Sequence, residues 1–419
     1  MKKIISVLLC VVLLLSAFSM AAFAAEKEES YPFIFVHGMG AWGSYEDFNK
    51  ISPNWGGWLF HKDDDIIRIF NENGIEAYAA SVGPFNSAWD RACELYAQLT
   101  GTVTDYGAAH SAAHNHDRYG FSYEGNQLMK ECWDGESKLN LVGHSFGAPA
   151  VRLFASLMAF GDEDEIAATG EDTSPLFTGG HDCVNAVVSL AGPNNGSPVS
   201  NQVYDPKVPM MLISFGINLI GATAGNSFIM WGMQMSHFGL TPKQGEARTK
   251  LNISKIINFY KSNDNCGYDM TLRGAAELNA RIKLAPNTYY YSYSAIATTT
   301  DDSDNEVPIK SMFTMFRPSA RYLGKLDGKT IDGITLDKSW ELNDGLVPYA
   351  SAVYPSTDAA TALSYEETVA NGNVIEPGRW YYMAPMEGFD HFDFSGTKDY
   401  PTSFEDFYFT MAKTVTENS

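Results

Sequence analysis

Apolar residues along the chain fall into short continuous runs and into stretches where they recur at helical spacing. The first run, F-I-F-V from Phe33, leads into His37-Gly38-Met39-Gly40 and predicts a buried strand. A helix is predicted from Asp63 to about Asn73, stopped by Gly74, and then a strand around Glu76 to Ser81. Further on, L-N-L-V from Leu139 is strand-like, and the helix after it carries Val151, Phe154, Leu157 and Met158 on one face. Three more strands are expected in V-N-A-V-V-S-L-A-G ending at Gly192, in T-Y-Y-Y-S-Y-S from Thr288 and in R-W-Y-Y-M-A-P from Arg379. A closing helix starts at Ser403 and Asp406 in capping-box spacing, with Phe404, Phe407, Tyr408 and Met411 on one side. Alternating strands and helices of this kind predict an α/β fold of α/β-hydrolase type, a mostly parallel sheet covered on both faces.

The N-terminus has a different plan. Lys2 and Lys3 precede an apolar stretch from Ile4 to Phe18, and Ala22-Phe23-Ala24 follows just before a charged run. This is the layout of a secretory signal peptide over residues 1–24, with the exported protein starting at Ala25. Losing Lys2 and Lys3 takes the formal net charge from −21 to −23, which argues against nucleic acid or an anionic membrane surface as partner. Cys93, Cys132, Cys183 and Cys266 are widely spaced and too few to build a disulfide scaffold. With no linker or repeat to divide it, 25–419 is expected to be one elaborated, secreted domain.

One stretch breaks the rhythm. From Val208 to Pro242 there is no Asp, Glu, Lys or Arg, a length sufficient for a membrane span, but Gly216, Asn218, Gly221, Gly225, Asn226, Gly232 and Gln234 interrupt it, and a buried core helix is a second reading. The expectation is a lid over about 200–245, whose Met210, Met211, Met230, Met233 and Met235 repack easily against varied apolar partners.

Candidate chemistry centres on G-H-S-F-G, where an apolar run stops at Ser145 between Gly143 and Gly147. The string alone is weak; the strand before it and the helix after it make it a nucleophile elbow. A serine hydroxyl needs a base to take its proton and an acid to orient that base, and in this fold they follow in the order serine, acid, histidine. Only His181, His237 and His391 lie beyond Ser145, and His391 sits late, in G-F-D-H-F-D. Asp344, in L-N-D-G-L-V-P at the expected end of a strand, is the acid; Asp390 competes, but adjacent side chains point apart. The backbone N–H groups of Phe146 and Met39 would stabilise the oxyanion. A loop with His110, His114 and His116 suggests a metal, without indicating which two histidines bind it.

These residues sit in longer blocks: V-H-G-M-G-A-W-G from Val36, V-G-P-F-N-S-A-W-D-R-A-C-E-L-Y-A-Q-L from Val82, D-Y-G-A-A-H-S-A-A-H-N-H-D-R-Y-G from Asp105, and Y-D-M-T-L-R-G-A-A-E-L-N from Tyr268. S-P-L-F-T-G-G-H from Ser174, N-T-Y-Y-Y-S-Y-S from Asn287 and N-D-G-L-V from Asn343 add to them. Together they resemble the secreted zinc-containing triacylglycerol lipases of Gram-positive bacteria, the thermophilic-bacillus and staphylococcal group. The resemblance implies a triad of Ser145, Asp344 and His391, and a structural zinc on Asp90, His110, His116 and Asp269. It also implies a small zinc-binding subdomain from insertions at about 86–125 and 255–285, and a calcium site at Gly324, Asp393 and Asp399 with spacing longer by one. Phe146 stands where the family usually has glutamine, and Met39 where it has an aromatic residue. The expected activity is hydrolysis of lipid esters at a lipid–water interface through an acyl-serine, with no stable protein partner. A broader carboxylesterase or aliphatic polyester hydrolase is the alternative, and a non-catalytic lipid-binding protein on the same fold the remote one.

Overall fold

The computed structural model describes residues 31–56, 64–204, 234–246, 252–396 and 404–418. Its centre is a sheet of β1 (Phe33–Val36), β2 (Ala77–Ala80), β3 (Leu139–His144), β4 (Val184–Leu190), β5 (Tyr289–Tyr293), β6 (Leu363–Ser364) and β7 (Trp380–Tyr382). They lie in the order β6-β7-β5-β4-β3-β1-β2, and every neighbouring pair is parallel. Side chains alternate across the sheet because successive strand residues point to opposite faces. Ile34, Val36, Leu139, Leu141, Val187 and Tyr290 enter one core, and Phe33, Phe35, Val142, Val188 and Tyr291 enter the other. Burial on both faces explains why these strands are continuous apolar runs.

Helices α1 (Ile66–Glu72), α2 (Ala88–Thr100), α3 (Ala108–His114), α4 (Gly147–Phe160), α5 (Leu272–Arg281) and α6 (Phe404–Glu417) complete the frame. Residues of α2 and α4 pack on the Ile34 side, those of α1 and α6 on the Phe33 side. Helix α1 starts at Ile66 rather than Asp63, because the Asp65 carboxylate accepts the Ile67 N–H at 3.1 Å and caps the helix from outside. The one-sided pattern expected of α4 gives way to burial almost all round, since α2 and the short helix Pro175–Thr178 cover its outer side. The two-residue edge strand β6 was not foreseen.

Residues 86–125 hold α2, α3 and a hairpin of Val103–Asp105 with Tyr119–Ser122. Residues 1–24 and most of the lid range, 205–233, lie outside the described residues. The far end of that range is core rather than cover: Met235 and Leu240 pack with α2 and α4, and Gln234 accepts the Tyr123 hydroxyl hydrogen at 2.9 Å. Among the described residues no helix is long and apolar enough to cross a membrane. Cys93, Cys183 and Cys266 are buried free thiols and Cys132 is an exposed one.

Strands β2 and β3 flank β1 on opposite sides, so the chain changes direction across the sheet at β1 and β3. Loops leaving the carboxyl ends of two such strands diverge and leave a crevice between them. The loop after β1 carries Gly38 and Met39; the turn after β3 carries Ser145.

Candidate active site and metal centre

Ser145 sits at φ +53°, a left-handed conformation that costs a residue with a Cβ about 1–2 kcal/mol. It is held there by its N–H, which donates to the Leu190 carbonyl at 2.9 Å, and by the start of α4 two residues later. Gly143 and Gly147 make the turn possible. A Cβ on Gly143 would come 2.5 Å from the Ala148 nitrogen, and one on Gly147 would collide with the Val36 carbonyl.

The His391 Nε2 lies 2.8 Å from the Ser145 Oγ, and its Nδ1 lies 2.7 Å from the Asp344 Oδ2. The Leu346 and Val347 N–H groups donate to the other Asp344 oxygen at 2.9 and 2.7 Å, so the carboxylate is fully engaged. Asp344 belongs to a turn bridged from Asn343 to Pro348, not to the end of a sheet strand, and Gly345 at φ +104° lets it close. Asp390 is committed elsewhere: it accepts the Phe313 N–H at 2.7 Å and the Phe392 N–H at 3.1 Å. His144, unremarked in the sequence, lies with its Nε2 2.9 Å from the His391 carbonyl oxygen, within reach to donate to it. Burial, with the His391 imidazole beside it, pushes His144 down to about 3, so it stays neutral and keeps an N–H to give.

A cavity of about 330 Å³ opens over Ser145 and His391, with Met39, Trp42, Val199, Met270, Phe316 and Leu346 in its wall. Its lining is predominantly apolar, suited to an acyl chain. Neither the Met39 nor the Phe146 N–H has a partner among the described residues. Gly38 packs directly against Ser145, since a Cβ there would come 2.8 Å from the Ser145 Cβ.

Away from this cleft, Asp90, His110, His116 and Asp264 bring ligand atoms to within 4.8 Å of one another. The His110 Nε2 is 3.3 Å from Asp90 and 3.4 Å from Asp264, and the His116 Nε2 is 3.3 Å from Asp264. None of these facing nitrogens and oxygens has a well-formed hydrogen bond, although all are buried. Buried polar atoms without partners are costly, and a cation at their centre would satisfy them together. The outer contacts fit this. The His116 Nδ1 lies 2.9 Å from the Asp117 carbonyl, which leaves the Nε2 to face inward, and the His237 Nε2 lies 3.1 Å from the Asp90 Oδ2. Glu165 accepts the Ala109 and His110 N–H groups and caps α3.

The expected fourth ligand, Asp269, is corrected to Asp264. Asp269 instead accepts the Ala88 N–H at 2.7 Å at the start of α2, and burial pushes it up to about 7. Both aspartates lie in D-N-C-G-Y-D, Asp264 buried and Asp269 half-buried; only the tertiary turn between Lys261 and Cys266 aims Asp264 inward. The His114 ring lies tilted against His110, with 4.4 Å between ring centres, without joining the group. Of the expected calcium residues, the Gly324 carbonyl accepts the Glu306 N–H at 3.0 Å and Asp393 accepts the Asp390 N–H at 2.7 Å. Asp399 lies outside the described residues.

The family described as "Lipase-like, C-terminal domain" matches residues 29–416. The chain belongs to this family. Lipase 2 of Staphylococcus aureus is 32% identical over 376 residues, which cover 87% of this chain and 50% of that protein. The chain therefore spans about half the length of the curated relatives it matches. Among solved structures, the Staphylococcus hyicus lipase is 29% identical with a TM-score of 0.76, covering 94% of this chain and 97% of that one. EstA from Clostridium botulinum is 30% identical at the same TM-score of 0.76, covering 93% and 88%. The parallel sheet with helices on both faces, shared with the Staphylococcus hyicus lipase, is the α/β-hydrolase fold.

Proposed function

We propose that this protein is a carboxylic-ester hydrolase of the lipase type, with Ser145 as nucleophile, His391 as general base and acid, and Asp344 as its orienting partner. One observation carries the reading: the His391 ring bridges the Ser145 Oγ and the Asp344 carboxylate at 2.8 and 2.7 Å. As the Ser145 Oγ bonds to the ester carbonyl carbon, its proton passes to the His391 Nε2, and Asp344 stabilises the imidazolium. The carbonyl oxygen becomes an anion facing the Met39 and Phe146 N–H groups. Collapse breaks the bond to the alcohol oxygen, which leaves with the proton from His391. Water then repeats the sequence on the acyl-serine and releases the acid.

The apolar cleft favours acyl chains, and the family supports lipid esters as substrates. A broader esterase is the second reading, supported by the likeness to a relative named EstA. Rates on emulsified long-chain triglyceride, soluble short-chain ester and polyester film separate the two. Ser145→Ala should abolish turnover of a chromogenic acyl ester, by about 10⁵-fold or more, and labelling by a fluorophosphonate. Retained turnover would remove the hydrolase reading.

The four-donor group of two aspartates and two histidines suits a closed tetrahedral Zn²⁺ site. With all four positions taken by side chains, the ion would hold α2, α3 and the 264 turn together, leaving no position for substrate.

A further inference from the structure

Arg91 is a fully buried arginine on α2 that forms no ion pair among the described residues. Its Nη2 donates to the His37 carbonyl at 2.6 Å and lies 3.2 Å from the Gly38 carbonyl, and its Nε and Nη1 have no partner. The guanidinium carbon also lies 5.1 Å from the centre of the Phe146 ring. The His37 Nδ1 also lies 3.2 Å from the Nη2 and 2.9 Å from the Gly38 carbonyl, so His37 shares the contact with that carbonyl. Burying a guanidinium against two carbonyls and one imidazole, with no ion pair, is expensive, so the arrangement calls for a compensating role.

We infer that Arg91 is a positioning residue for the oxyanion hole, and that it makes the hole depend on the metal centre. The inference rests on the hydrolase reading above. A trans peptide holds its C=O and N–H antiparallel. Drawing the Gly38 carbonyl towards Arg91 therefore turns the Met39 N–H to the opposite side of the peptide. The same guanidinium lies over the ring of Phe146, whose N–H is the second donor, so one side chain touches both halves of the hole.

The link to the metal is the neighbouring residue. Asp90 and Arg91 are consecutive on α2, so their side chains leave the helix about 100° apart. One reaches His110 and the other reaches the loop after β1. Asp269 and Ser87 fix the first turn of the same helix through the Ala88 and Asp90 N–H groups. An ion holding Asp90 thus sets the turn from which Arg91 reaches the loop.

The test compares wild type, Arg91→Met and Arg91→Lys, each with zinc and after dialysis against a chelator. Fluorophosphonate labelling, turnover of a soluble short-chain ester and hydrogen exchange of the peptide spanning residues 36–44 are measured below each sample's melting temperature. With zinc bound, Arg91→Met should lower kcat about 100-fold with KM within about threefold, and Arg91→Lys should recover part of the loss. Exchange at 36–44 should rise in Arg91→Met and in metal-free wild type. Chelation should slow labelling of wild type toward the Arg91→Met rate and leave Arg91→Met itself unchanged. If Arg91→Met does not fold, Arg91→Lys and metal-free wild type carry the same comparison. The inference is overturned if the folded variants keep wild-type kcat, or if chelation slows wild type and variant by the same factor. Wild type that never labels would overturn the hydrolase reading, and this inference with it.

Discussion

The cleft and the metal centre are both built from buried acids and histidines, yet they differ in what each leaves without a partner. In the cleft, both nitrogens of His391 and both oxygens of Asp344 are engaged within the protein. Around Asp90, His110, His116 and Asp264 the facing atoms are buried and unmatched. Complete pairing sets His391 between Ser145 and Asp344; two carboxylates and two imidazoles left unmatched around one point make a place that a cation would complete. One region is finished by the fold, and the other has the donor set that an ion would complete.

The largest break comes from the acid of the cleft. Asp344→Asn keeps an oxygen for the Leu346 and Val347 N–H groups but offers His391 an amide, which favours the wrong tautomer. Turnover should fall about 10⁴-fold with little loss of fold, measured as kcat beside the melting temperature. A drop under tenfold would show that His391 needs no such partner.

At the metal centre, Asp264→Asn should lose the metal after gel filtration and lower the melting temperature by about 10 °C or more. Asp269→Asn should retain the metal and cost about 1 kcal/mol, because its oxygen can still accept the Ala88 N–H. The reverse result would restore Asp269 as the ligand.

Acid separates the regions more gently. Burial first, and then the charges of Arg91 and His391 respectively, lower His37 and His144 from 6.5 to about 3. Between those values the unfolded chain binds protons that the folded protein refuses, so stability is complete above 6.5 and falls as pH drops towards 3. Each imidazole contributes a slope of about 1.4 kcal/mol per pH unit. Denaturant titrations from pH 6.5 to 4 should show the decline, and His144→Gln should make it shallower; an unchanged slope would mean that His144 accepts a proton in the fold.

The smallest effect lies at Ser145. Glycine tolerates the left-handed backbone that Ser145 is held in, so Ser145→Gly should gain about 1 kcal/mol while losing activity. A loss of stability would mean that the serine hydroxyl contributes more than its strained backbone costs.

Local pattern determined much of this protein. The apolar runs that became β1, β3, β4, β5 and β7, the elbow glycines, and the order of Ser145, Asp344 and His391 are all visible along the chain. They are visible because strand burial and tight turns depend on near neighbours, and because the family blocks surround the site residues. The tertiary structure alone decided between Asp264 and Asp269, turned α4 from a one-sided helix into a buried one, and brought His144, His237 and Arg91 to their partners. Those outcomes depend on contacts between segments far apart in sequence. Two aspartates five positions apart look alike until the fold gives one an amide and aims the other at two imidazoles.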